Sequence, residues 1–160
     1  MMQYSVHPPS EFICQHSEKL LPEWSTPVRS IVVVLQPSDR ELTERCWETD
    51  LQKQILRSQF LEFGFKVAEL LRQRGYLAEL FDPKTGLPIL SKAGSLRLDD
   101  VAVVRSTLGY GITPAGNCFT IVHPRWGSAV YPSILMSSAD LSSVEAAVAG
   151  LRECHHSFRG

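Results

Sequence analysis

In Gly75-Tyr76-Leu77-Ala78-Glu79-Leu80-Phe81-Asp82-Pro83-Lys84-Thr85-Gly86-Leu87 the apolar period of the chain changes from helical to extended. Before it, Leu51, Ile55, Phe60 (or Leu56), Phe63, Val67, Leu70 and Leu71 recur at the spacing of a helix stripe. The helix is expected to run from a cap at Asp50 through Arg74, with Gly75 as the left-handed residue that ends it. Gly64 inside the stripe costs about 1 kcal/mol relative to alanine, so its presence points to close packing. After Gly75, Tyr76–Phe81 reads as a strand and Asp82-Pro83-Lys84-Thr85-Gly86 as a tight turn. There Pro83 fixes φ, Gly86 accepts positive φ, and Asp82 takes backbone N–H groups of its own turn. Leu87–Leu90 is expected to return as the partner strand.

Upstream, Ser10 is placed to cap a short helix, Glu11–Leu21, that stops at Pro22. The run Ile31-Val32-Val33-Val34-Leu35 within Val28–Gln36 reads as a strand buried on both faces, followed by a turn at Pro37-Ser38-Asp39. Glu41–Thr49 fits a short strand or a helix start equally well. Downstream, Ser91–Leu98 is loop-like, and Val101–Ser106, Tyr110–Ile112, Asn117–His123 and Ser128–Met136 read as strands. Asp140 is placed to cap a final helix, Leu141–Glu153, with Cys154–Gly160 frayed. Short turns between strands imply antiparallel pairing. The expected class is α+β: a mainly antiparallel sheet with one long and two shorter helices.

A chain of 160 residues fits a single domain spanning 1–160 with one core. The net charge of -1 argues against nucleic acid or an anionic membrane as partner, since both require an excess of Lys and Arg. Clusters such as Arg72, Arg74 and Arg97 read as solvated surface. Cys14, Cys46, Cys118 and Cys154 lie far apart without a C-x-x-C pair, as expected of reduced thiols. The N-terminus shows neither a secretory signal nor an Arg-rich presequence, and no run approaches a membrane span. The expected location is the cytoplasm.

Generic catalytic signatures are missing. Gly109-Tyr110-Gly111 precedes a strand, not a helix N-terminus, so it does not form a dinucleotide loop. Neither a P-loop nor a D-x-H-x-x-G word is present, and His123-Pro124-Arg125-Trp126-Gly127 lacks the Asp partner of the latter. Cys14-x-His16 and Cys154-His155-His156 would make a metal site only if the chain ends met; a metal is not expected. A Cys118–His123–Asp82 nucleophile system is disfavoured, because 118 and 123 on one strand point to opposite faces. His123 then reads as a sheet residue bonded to its neighbours. Trp126 reads as an aromatic plug at a turn or as part of an interface, where Trp is enriched among energetic anchors.

Two stretches carry a family resemblance: Tyr76–Leu87, and Leu108-Gly109-Tyr110-Gly111-Ile112 followed by Gly116-Asn117-Cys118-Phe119-Thr120-Ile121-Val122-His123-Pro124-Arg125-Trp126-Gly127. Together with Leu20-Leu21-Pro22-Glu23, similar to a Leu-Phe-Pro-Glu word, they resemble the methylmalonic aciduria and homocystinuria type D (CblD) family of cobalamin-trafficking adaptors. The resemblance runs from about Pro9 to Met136 and is strongest over 76–127. It implies a modified nitroreductase-like scaffold without flavin, and an adaptor in place of an enzyme. It also implies a CblC-type cobalamin-processing partner, with homodimerisation as a further expectation. Cobalamin is then met through the partner and not bound tightly by the chain. The partner interface would draw on Tyr110, His123 and Trp126, and the cobalamin-facing segment on Asn117 and Cys118. Animal members carry an organelle-targeting extension, so the resemblance implies an untargeted version here.

Animal members read Gly-Cys-Cys where this chain has Gly116-Asn117-Cys118, which sets Asn117 at the thiolate linked to cobalt. An amide oxygen is a poor substitute for a soft thiolate. In a strand, Cys118 would face the other way. Two alternatives stand beside the adaptor. One is a flavin- or cobalamin-dependent reductase using Arg29, Arg97 or Arg105 for a flavin phosphate. The other is a fold relative with a different partner.

Overall fold

The computed structural model describes the backbone of residues 2–157 and the side chains of residues 2–151. In chain order it contains β1 (Gln3–His7), α1 (Glu11–Leu20), β2 (Ser30–Pro37), α2 (Trp47–Gln73) and β3 (Ala78–Phe81). These are followed by α3 (Asp100–Leu108), β4 (Gly111–Ala115), β5 (Cys118–Val122), β6 (Val130–Ser137) and α4 (Leu141–Ser157). The main sheet has the order β1-β2-β6-β3 with every neighbouring pair antiparallel, and β4-β5 forms a separate hairpin. The α+β class and the antiparallel sheet agree with the sequence reading.

The sheet has two apolar faces because its central strands alternate between two cores. Val32, Val34, Leu80 and Leu135 pack with Phe60, Val67 and Leu71 of α2 and with Val144 and Val148 of α4. Ile31, Val33, Leu35, Phe81, Ile134 and Met136 face α1, α3 and the hairpin, meeting Ile13, Leu20, Val104 and Ile121. β2 is therefore buried on both sides, as its unbroken aliphatic run requires.

Capping explains the helix ends. Ser10 Oγ accepts from the Ile13 N–H, as expected, and Asp140 Oδ1 accepts from the Ser143 N–H at 2.8 Å. α2 begins one turn before the expected Asp50. Cys46 is its cap residue, and Asp50 sits in the first turn beside Glu48, where carboxylates complement the helix dipole. The acidic signal was real but displaced by a turn. Gly75 has φ 88 and ends the helix as read. A Cβ at Gly64 would meet Leu80 Cδ2 and lie 2.9 Å from Leu80 Cγ, so the glycine lets α2 sit close on the sheet. Leu51 and Ile55, read as part of the buried stripe, instead face solvent; the sheet-facing row is Leu56, Phe60, Gly64, Val67 and Leu71.

Three further departures have physical causes. Val101–Ser106, read as a strand, is the helix α3. Asp99 Oδ1 accepts from the Ala102 N–H at 3.1 Å, Gly109 takes φ 72 at the other end, and Val103 and Val104 bury one face. Two good caps outweigh the strand preference of valine. The helix total among the described residues is accordingly four. Leu87–Leu90 does not pair as a full strand and makes only the Phe81–Pro88 bridge. Around that bridge Ile89 N donates to Leu80 O at 3.1 Å and Asp82 N to Leu87 O at 2.9 Å. The fully buried Glu79 takes the donors beyond: Oε1 shares Ile89 N at 3.0 Å and accepts from Leu90 N at 2.7 Å, and Oε2 accepts from Ser91 Oγ at 2.6 Å. β1 was missed altogether, being a half-buried edge strand of mixed polarity. α4 continues past Glu153 to Ser157; the rest of the tail read as frayed lies outside the described residues.

Candidate functional site

The two quoted words meet at one cleft. It has a volume of about 520 Å³, and its walls include Lys84 of the Asp82–Gly86 turn and Cys118 at the start of β5. Lys53 of α2, Arg97, Asp100 of α3 and Tyr131 of β6 also line it. Each wall has a local cause. The turn closes as expected, with Gly86 N donating to Asp82 O at 2.7 Å and Gly86 at φ 72. A Cβ on Gly86 would fall 2.6 Å from the Leu98 carbonyl oxygen, so the loop carrying Arg97 can only approach a glycine there.

Asp82 is held from two sides. Arg57 Nε and Nη2 of α2 donate to its two carboxylate oxygens at 2.7 Å each, and Lys84 N donates to Oδ1 at 2.9 Å. The Arg57 hydrogen bond is the main cause that lowers the Asp82 pKa, against the opposing effect of burial. Asp82 thus serves its turn and also anchors it to the long helix.

Asp100 is the opposite case. Its Oδ1 is shut off from solvent and has no hydrogen-bond partner. Burial, reinforced by the charges of Asp99 and Asp82, pushes its carboxyl well above the usual carboxylate range. The Tyr131 hydroxyl is also pushed up, first by burial and then by Asp100 and Asp82.

Asn117 does not lie in a strand. Gly116 and Asn117 are the two loop residues of the β4–β5 hairpin, with Ala115 and Cys118 paired across it. Gly116 has φ 63 while Asn117 stays at negative φ, the arrangement of a type II′ turn. Asn117 is therefore at the exposed tip, and Cys118, also exposed, borders the cleft.

Tyr110, His123 and Trp126 sit together at the other end of the hairpin. Nδ1 of His123 accepts the N–H groups of Arg125 and Trp126 at 3.0 and 3.1 Å. That leaves the proton on Nε2, which donates to Gln3 Oε1 of β1 at 3.0 Å. Trp126 stacks on the imidazole at 4.2 Å between centroids, and Tyr110 meets its edge at 5.5 Å. His123 is only 4% exposed, and burial followed by the charge of Arg125 lowers its pKa. The trio fastens the hairpin base to the sheet edge, while Tyr110 and Trp126 stay half-buried.

The nucleophile combination does not assemble. Cys118 and His123 stand at opposite ends of β5, and Asp82 is committed to Arg57. Of Arg29, Arg97 and Arg105, only Arg97 lines the cleft. Cys14 lies exposed on α1, and the side chains of Cys154, His155 and His156 lie outside the described residues.

Some exposed features escaped the sequence reading. Trp47, Leu51 and Ile55 make an outward row on α2 at 71%, 48% and 45% exposure, and Phe119 beside the tip is 57% exposed. Their four-residue spacing is visible in the sequence, but it merges with the buried row of the same helix. A Cβ on Gly116 would lie 3.4 Å from Arg45 Nε, which sets the segment leading into α2 beside the hairpin tip. Asp100 gave no signal because it falls between a segment read as loop and one read as strand.

Among the described residues, no helix is long and apolar enough to cross a membrane. The model of the methylmalonic aciduria and homocystinuria type D protein family matches residues 2–148. The cobalamin trafficking protein CblD of Homo sapiens is 25% identical over 129 residues, covering 81% of this chain and 44% of that protein. That of Mus musculus is 24% identical over 133 residues, covering 83% of this chain and 45% of the relative. The chain spans a little under half the length of these curated relatives. With the family match extending from β1 into α4, this chain belongs to the methylmalonic aciduria and homocystinuria type D protein family.

Proposed function

We propose that this chain is a cobalamin-trafficking adaptor that works by contact with a CblC-type cobalamin-processing protein. The family membership carries the cobalamin role. Exposed apolar side chains support the contact: Trp47, Leu51 and Ile55 form an outward row on α2, and Phe119 stands beside the hairpin tip. Trp and other aromatics anchor protein interfaces because they bury a large rigid area at low entropic cost. In this reading the tip, Asn117 and Cys118, faces the cofactor held by the partner, with Tyr110 and Trp126 completing the contact surface from the hairpin base. The scaffold is a modified nitroreductase type, and the chain itself holds cobalamin only weakly.

The test is gel filtration of the chain with a cobalamin-loaded CblC-type protein. Co-elution is expected, and Trp47→Ala and Phe119→Ala should each weaken it by about tenfold, a typical anchor loss. Independent elution at micromolar concentrations would remove the adaptor reading. The same column run on the chain alone separates monomer from homodimer. The visible spectrum of the complex with reduced cobalamin, compared between the native chain and Asn117→Cys, reports whether a thiol at the tip reaches cobalt.

A further inference from the structure

We infer that the cleft between the Asp82–Gly86 turn, the start of α3 and the β4–β5 hairpin docks an extended acidic segment of a partner protein. The segment adds as a strand to the outer edge of β5. This goes beyond the cobalamin role, because it concerns only the chemistry of what docks. Charge is the first observation. Lys53 of α2, Lys84 of the turn and Arg97 of the loop before α3 come from three separate parts of the chain and line one cleft. All three are exposed, and among the described residues none has an ion pair or a side-chain hydrogen bond. The acidic residues that line the same cleft are Asp99, which caps α3, and Asp100. Burial disfavours the charged form of Asp100, and its Oδ1 is shut off from solvent. The cleft thus carries a positive surplus in a chain of net charge -1. A concave surface of one sign concentrates the opposite charge.

The second observation is an open strand edge. Gly116 and Asn117 form a two-residue hairpin loop, so the flanking Ala115 and Cys118 exchange both main-chain hydrogen bonds. Bonded pairs alternate along the ladder, and the N–H and C=O of Phe119 therefore point away from β4. Pro114 stands opposite Phe119 and fits this phase, having no N–H to give. Among the described residues, no turn, loop or side-chain hydrogen bond reaches the Phe119 main chain. Phe119 lines the cleft and is 57% exposed. A free inorganic anion answers the cations and leaves this edge bare. An added strand answers both, since its main chain pairs with the edge and its side chains alternate. The segment that fits alternates acidic residues, for the cations, with apolar ones, for Leu42 and Phe119.

The probe is a fluorescein-labelled peptide, Glu-Val-Glu-Val-Glu-Val-Glu, titrated with the native chain and read by fluorescence anisotropy. Saturable binding is expected by millimolar concentration, at least about tenfold tighter than for the matching Lys-Val peptide. Lys53→Glu combined with Arg97→Glu should weaken it about tenfold or more and reverse the preference between the two peptides. N-methylation of one alternate set, the Glu or the Val positions, should cost about tenfold, and methylation of the other set should stay within about threefold. Thermal melts check that the double variant folds; if it does not, the N-methyl pattern on the native chain decides. Absence of binding, equal binding of the two peptides, equal binding by the folded double variant, or equal loss from both methylated sets would overturn the inference. Equal binding of an oligothymidylate, or displacement of the peptide by millimolar phosphate, would also overturn it and leave a general anion patch.

Discussion

Arg57 clamps Asp82 with two parallel N–H···O bonds of 2.7 Å each, tying the middle of the long helix to the turn that follows β3. The pair is partly screened on the arginine side and largely buried on the aspartate side. Removing one partner strands the other, so Asp82→Ala is expected to destabilise the fold by about 2–3 kcal/mol, measured by urea denaturation. The folded-state pKa of Asp82 is lowered, so its contribution is present above the unfolded value near 3.8 and is lost as pH falls below it. In Asp82→Ala that acid-limb loss should shrink; an unchanged limb would show that the pair contributes nothing.

Asp100 has the opposite sign. Its folded pKa is raised, so the unfolded chain ionises first and stability is lost as pH rises above about 3.8 toward the folded value. Asp100→Asn removes the ionisation and should raise stability at pH 7 by about 1–3 kcal/mol. Equal melting temperatures for the native chain and the variant across pH 5–8 would contradict the burial of this carboxyl.

His123 sets a third pH dependence. Its folded pKa is lowered, so the unfolded chain binds the proton first, and stability falls as pH drops below about 6.5. Protonation would also force Nδ1 to give up the Arg125 and Trp126 N–H groups. His7, with the same sign from burial, adds to the trend. His123→Gln should cost about 1–2 kcal/mol at pH 7.5 and flatten the fall in melting temperature between pH 7 and 5.5. A slope identical to that of the native chain would assign the trend elsewhere.

Gly64→Ala sets packing against propensity. Helix propensity alone favours alanine by about 1 kcal/mol. The added Cβ would, however, crowd the fully buried Leu80 and approach Leu135 Cδ2 to 3.4 Å. Overpacking costs about 1–3 kcal/mol, so a net loss of about 1 kcal/mol is expected by thermal melting. A rise in melting temperature would mean that α2 and the sheet can separate slightly.

What was legible in the sequence was local and periodic. The run at residues 31–35, the Asp82–Gly86 turn and the Gly75 stop each carry their cause within a few residues, and all three stand in the structure. What failed was a pair of flanking caps left unread or a contact from 11 residues away. The valines of α3 look like a strand until Asp99 and Gly109 are seen to cap them. Leu87–Leu90 begins as a hairpin partner, with Ile89 N on Leu80 O, but stops short because Glu79, a single buried carboxylate, takes the Leu90 N–H. The site was half visible: its two words were read, but their meeting across one cleft depends on α3 being a helix. The exposed row Trp47, Leu51 and Ile55 was hidden because a helix of 27 residues carries two apolar rows.

The adaptor role rests on one binary interaction, which isothermal titration of the chain into a CblC-type protein measures, with and without bound cobalamin. Saturable one-to-one binding is expected, at least about tenfold tighter to the loaded partner and weakened by Trp47→Ala and Phe119→Ala. No heat of binding to either form, or equal affinity for the loaded and empty partner, would contradict it.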